Sequence, residues 1–200
     1  PRSHQDRILS AASRLFCRQG FHGSSTRAIA RAAGVSLGNL YNHFPGKEAL
    51  FTALLERYEA DYFNADQPLP RALAAGNFPD NIEDIGRASG DTVRKFSDYI
   101  LLMYVDVVEF EARHIARVFG NMRERYAAFV EAQRKSGRPL PRLRVDPVAA
   151  LMMTTWGYFT YFITEKLFGV KGHYGMEDAE FVRVFASVIR RGVLNEGRDP

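Results

Sequence analysis

Apolar residues recur at helical spacing along most of the chain, and the runs are bounded by residues that start or stop helices. Ile8, Ala11, Ala12, Leu15 and Phe16 predict a first helix. Gly20 supplies its left-handed stop, and Phe21 folds back as the hydrophobic contact. Ser24, Ser25 and Thr26 offer N-caps to a short second helix with Ile29, Ala30 and Ala33 on its inner face. Gly34-Val35 predicts a tight turn, Ser36 caps a third short helix carrying Leu40 and Phe44, and Pro45-Gly46 breaks the chain again. A fourth helix starts near Lys47, with Leu50, Phe51, Leu54, Leu55, Tyr58 and Tyr62 as its stripe.

Beyond it, Gln67 to Asp80 reads as a linker or an interrupted helix and loop, because Pro68, Pro70, Gly76 and Pro79 punctuate it. Gly86 and Gly90 weaken any helix starting near Asn81. From Asp91 the pattern strengthens, and Tyr99 to Val108 is apolar nearly all round, which predicts a central, buried helix. Glu111 to Phe119 predicts a short helix, and Met122, Tyr126, Phe129, Val130 and Gln133 another, stopped by Gly137. Arg138 to Val145 is a proline-containing basic loop. Asp146-Pro147 then starts a helix reaching about Phe168, with Asp as N-cap and Pro in the first turn. Gly169, Gly172 and Gly175 mark a loop before a last helix from about Asp178 to Leu194. With no convincing strand, the fold class is all-α.

Composition changes the picture in two ways. Cys17 is the single cysteine, so no intramolecular disulfide forms; this fits a reducing cytoplasm and a small packed side chain. The most apolar stretch, Tyr99 to Val105, is far short of a membrane span, and no signal peptide is visible. Charge is uneven. Up to Lys47 the chain holds Arg2, Arg7, Arg14, Arg18, Arg27, Arg31 and Lys47 against Asp6 alone, a net +6, whereas the remainder has 20 basic and 22 acidic residues. Such a head is either a solvated basic face or a surface for a polyanion.

Thr26 to Phe44 decides between these. Two short helices flank a glycine turn, with the small Ala30 and Ala33 at the crossing and Ile29, Val35 and Leu40 as a wedge. Ser36, Leu37, Gly38, Asn39, Tyr41, Asn42 and His43 then occupy a short polar helix of the kind that enters a major groove. Asn39 and Asn42 have the amide geometry to read adenine, and Leu37 the apolar surface for a thymine methyl. The pattern T-x-x-I-A-x-x-A-G-V-S-x-G-x-L-Y-x-H-F-x-x-K-E-x-L runs from Thr26 to Leu50 without a gap, after I-L-x-A-A-x-x-L-F-x-x-x-G-F from Ile8 to Phe21. In these residues, roughly the first quarter of the chain, the protein resembles the TetR family of transcriptional regulators.

The resemblance implies a helix-turn-helix domain over residues 1–47 and a helical ligand-binding and dimerisation domain over 48–200, about nine helices together. It implies that Thr26 caps the second helix and touches phosphate, that Tyr41 and Lys47 contact phosphate, and that His43 does likewise. Ser25 belongs to the same surface. Arg27 and Arg31 are either DNA contacts or solvated. The partners implied are double-stranded DNA with a palindromic operator, a small-molecule effector, and a second copy of the chain bound through the last two helices. No cofactor, catalytic residue or membrane contact is implied. Phe96, Tyr99, Met103, Tyr104, Asp106, Met122, Tyr126, Trp156 and Phe159 are either plain core or, as a set, the lining of a mostly apolar effector pocket. Two alternatives to a ligand-responsive repressor stay open: an architectural DNA binder with a filled core, and a metal-dependent helical enzyme. The enzyme would use Asp106, Glu109 and His114 with a metal, though these residues and Glu111 ordinarily form a polar face or pair with Arg113 and Arg117.

Overall fold

The computed structural model describes residues 3–138 and 140–194. Among them are eleven α-helices, a single isolated β-bridge between Leu143 and Leu194, and no strand. The helices are α1 (His4–Gln19), α2 (Thr26–Ala33), α3 (Leu37–His43), α4 (Lys47–Tyr62), α5 (Pro68–Ala74), α6 (Ile82–Lys95), α7 (Ser97–Glu109), α8 (Arg113–Gly120), α9 (Met122–Lys135), α10 (Pro147–Phe162) and α11 (Asp178–Val193). A π-helical turn, Ile163–Leu167, extends α10 to the end expected from the sequence. No helix among the described residues is long and apolar enough to cross a membrane.

Two compact units form. The first takes the chain up to Tyr62 together with Phe96–Val118; the second takes Phe63–Lys95 and the chain from Phe119 onward. Packing therefore divides the chain differently from the functional boundary drawn after residue 47.

In the first unit, Ile8, Phe16, Ile29, Leu40 and Leu50 are fully buried around α1, and Phe96, Tyr99 and Leu102 join the same core. Cys17 lies at its edge, and burial pushes its thiol up to about 12, so it stays protonated and unreactive. The start of α1 is fixed by a capping box: the Ser3 side chain accepts from Asp6 N–H and the Asp6 carboxylate from Ser3 N–H.

One expectation fails in this unit. α7 is not buried all round, because only one of its faces packs on α1 and α4. Tyr99 and Leu102 are buried there, whereas Val108 is 81% exposed and Tyr104 and Val107 also face solvent. Apolar composition on every side of a helix does not by itself supply partners for every side. The next helix also starts later than its polar pattern predicts. Glu111 (φ 54°) and Ala112 (φ 60°) are left-handed, at about 1–2 kcal/mol each, and Asp106 compensates. Its buried carboxylate accepts from His114 N–H and Ile115 N–H, both at 2.9 Å, and so caps α8.

In the second unit the structure resolves the Gln67–Asp80 alternative into a short helix and a loop. Pro68 occupies the first turn of α5, and Gln133 grips the loop after it, donating from Nε2 to Phe78 O and accepting from Phe78 N–H. The two glycines that weaken α6 in isolation are what its neighbour needs. A methyl group on Gly86 would stand 2.7 Å from the Tyr158 ring, and one on Gly90 would stand 2.8 Å from the Phe162 ring. Two α10 rings, four residues apart, thus sit over two glycines with the same spacing on α6. Tertiary packing has outweighed helix propensity.

Gly86→Ala and Gly90→Ala should therefore each destabilise the protein by about 1–3 kcal/mol, although alanine ordinarily stabilises a helix. Urea unfolding of the two variants measures this; an unchanged or raised midpoint would contradict the close approach.

Candidate nucleic-acid interface

The sequence places α2 and α3 by their caps. Ser25 Oγ accepts from Ala28 N–H and Ser36 Oγ from Asn39 N–H, both at 3.1 Å. Each hydroxyl keeps its own proton for an outside acceptor. Between the helices Gly34 adopts φ 64° and ψ 40°, and Val35 N–H bonds back to Ala30 O at 3.1 Å. Arg7, on α1, donates from Nη2 to Gly34 O at 3.1 Å and ties the turn to the first helix. Ile29, Leu40 and Phe44 are buried beneath, so the apolar side of both short helices is consumed by the core.

What remains outward is polar. Ser25, Arg27, Ser36, Gly38, Tyr41, Asn42 and His43 are exposed, with Thr26 and Leu37 half-buried beside them. Thr26 Oγ1 and Tyr41 Oη stand 3.2 Å apart, which brings a hydroxyl from each helix to one place. Arg27 and Arg31 are both exposed, as are Arg14 and Arg18 on α1.

Two expected contacts have additional partners. Asn39 turns its carboxamide toward α1: Nδ2 is 3.3 Å from His4 Nδ1, and Oδ1 is buried without a hydrogen-bond partner among the described residues. Lys47 is half-buried, and its ammonium donates to Phe21 O at 2.7 Å and Ser24 O at 2.9 Å while lying 4.2 Å over the Phe21 ring. Two of its three protons are so occupied, leaving one for an external acceptor. Sequence reasoning missed His4, Arg7 and these carbonyls, because none belongs to the helix-turn-helix itself.

The candidate effector residues divide between the units. Phe96 and Tyr99 are core, with Met103 packed against them; Tyr104 is exposed; Asp106 is the cap of α8. In the second unit Tyr126 and Phe159 are buried and Met122 is half-buried, while Trp156 is 55% exposed with Phe119 against its ring.

The acidic and histidine residues of α7 and α8 do not converge as a metal site; among the described residues no cluster of three such side chains is placed to hold an ion. Asp106 and Glu109 instead accept from backbone amides. His114 joins a polar network. Arg117 binds the buried Glu59 at 2.5 Å and also donates to His114 Nδ1 at 3.2 Å. A guanidinium only donates, so Nδ1 accepts and Nε2 carries the proton, facing Tyr99 Oη at 3.0 Å. Burial, and then the Arg117 charge, hold the imidazole below its ordinary value.

The unfolded chain therefore takes up this proton at a higher pH than the folded one. The contribution is fully present above pH 6.5 and is lost as the pH falls from there through the lowered folded value. Urea midpoints measured between about pH 7.5 and 5 should fall with pH, and His114→Gln should flatten that dependence. An identical slope in the variant would remove His114 as its source.

Residues 8–54 match the profile of the family described as bacterial regulatory proteins, tetR family. The chain is 47% identical over 49 residues to the HTH-type transcriptional regulator UidR of Escherichia coli, covering 24% of this chain and 25% of that one. It is 31% identical over 117 residues to the HTH-type transcriptional regulator YerO of Bacillus subtilis, covering 58% of this chain and 40% of that one. The matched stretch thus spans about a quarter of the first relative's length. The whole fold is similar to a solved TetR family transcription regulator from Marinobacter aquaeolei, with a TM-score of 0.67, 16% identity, and 96% of each chain covered.

Proposed function

We propose that the chain, whose residues 8–54 match the tetR family profile, is a member of that family and a sequence-specific DNA-binding transcriptional regulator, acting as a repressor in the cytoplasm. The observation that carries this reading is the outward face of α2 and α3: polar hydroxyls and amides on a buried apolar wedge, in a segment of net charge +6. Ser25, Thr26, Tyr41 and His43 supply phosphate contacts, joined by Arg27 and by the remaining Lys47 proton. Ser36, Leu37, Gly38 and Asn42 lie along the side of α3 that reads base edges; Asn39, expected there, instead has its carboxamide turned onto His4 and its Oδ1 buried.

Residues 1–47 are on this reading the DNA-contacting part, and residues 48–200 carry dimerisation and effector response. Met153 and Trp156 on α10 and Val184 and Val188 on α11 are large, apolar and exposed, which supports pairing of these helices with a second copy and a palindromic operator. The effector is small and largely apolar, drawn from the aromatic character of Tyr126 and Phe159 in the second unit. Its binding changes DNA affinity.

Selection of genomic fragments by the purified protein at near-physiological salt, followed by sequencing, tests this directly. A recovered palindrome is expected; retention of all fragments alike, with or without cell extract, would contradict it. On a recovered fragment, Tyr41→Phe should weaken binding to every sequence similarly, whereas Asn42→Ala should relax preference at one base pair by about 1–3 kcal/mol. Lys47→Ala should lower the slope of log affinity against log salt by about one if its third proton meets phosphate. An unchanged slope would leave Lys47 with its carbonyls alone.

A further inference from the structure

Glu109 is the last residue of α7, where an acidic side chain opposes the negative end of the helix dipole. The helix gives no reason for it; the loop between α1 and α2 does. Glu109 Oε1 accepts from Phe21 N–H at 2.9 Å and Oε2 from His22 N–H at 2.7 Å, with His22 Nε2 a further 3.7 Å from Oε2. The carboxylate is 17% exposed, so these amides are its main compensation for lost water. Gly20 makes the approach possible. It holds φ 71° and ψ 177°, and a Cβ on it would collide with Oε1. The neighbouring Phe110 packs its ring edge-on to Phe21 at 4.6 Å and stacks on Phe51 at 4.7 Å. On its other side the same loop offers Phe21 O and Ser24 O to Lys47. An anion thus takes the amide protons of the segment from which α2 starts, and a cation takes its carbonyls.

We propose that Glu109 is a positioning residue for DNA binding: its carboxylate grips the Phe21 and His22 amides and holds in place the loop that leads to the Ser25 cap and the Thr26–Tyr41 pair. It touches no DNA. This rests on the DNA-binding reading above and adds to it a residue far outside the helix-turn-helix. The sign of its effect sets it apart from a charge effect. Removing an acid from a protein that binds a polyanion should, by charge alone, tighten binding. Removing this one should loosen it, because the loop amides lose a charge-assisted acceptor.

The experiment compares wild type, Glu109→Gln and Glu109→Asp, the last keeping the charge but shortening the reach by one methylene. Amide hydrogen exchange at Phe21 and His22 is read by NMR. Binding is read across a salt series on a fragment the wild type recovers and on an equally long fragment it does not. Both variants should speed exchange at the two amides and lose about tenfold or more in affinity for both fragments. The order of preference and the salt slope should be unchanged. Either variant, once folded, binding as tightly as wild type or tighter would overturn the proposal, as would unaltered exchange at both amides. If the wild type itself recovers no DNA, the regulator reading fails; the exchange measurement would still report whether Glu109 holds the loop.

Discussion

The relation between α2 and α3 hangs on one backbone conformation. Gly34 turns the chain through the left-handed region at φ 64°, and a residue bearing a Cβ pays for that turn whatever space surrounds it. The turn delivers Leu40 to the same core as Ile29, and only then do Tyr41, Asn42 and His43 face away from that core. Arg7 on α1 binds the Gly34 carbonyl, so the first helix holds the turn as well as covering it. Without this corner the same residues would be two short helices below the length that is stable alone in water.

The head of the molecule was legible in its sequence because each of its elements carries a local signal. Ser36 and Gly34 act at their predicted cap and turn positions, since a cap depends on residues within one turn of itself; for α2 the cap is Ser25, and Thr26, expected to cap it, is its first residue and meets Tyr41 instead. Elements defined by distant partners were harder to read. Gly86 and Gly90 look like defects in α6 until Tyr158 and Phe162 are set against them, and no local rule contains that contact. The burial of α7 was overstated for the same reason. Val108 is as apolar as Leu102, and the difference between them is the presence of α1 and α4 on one side only.

The candidate site shows the same division. Residue types on α3 were readable, but the direction of the Asn39 side chain was not, because it depends on His4 one helix away. Asp106 and Glu109 have the chemistry of metal ligands in sequence, yet their use is structural: Asp106 caps α8 and Glu109 accepts from the amides of the loop before α2. A carboxylate aimed at a run of backbone amides looks, in sequence, like any surface acid.

The meeting of α6 and α10 has a mechanical meaning. A ring seated over a glycine works as a tooth in a slot, and here there are two teeth and two slots at equal spacing. Sliding α10 along α6 by one residue, about 1.5 Å, would carry the Tyr158 and Phe162 rings off their glycines and against positions that bear side chains. Tyr158 also donates to Val182 O on α11 at 2.9 Å, so the third helix is geared to the same tooth. The three helices resist axial slip and are built to turn or tilt as one piece. Movement in this unit is thereby directed to the loops that join them.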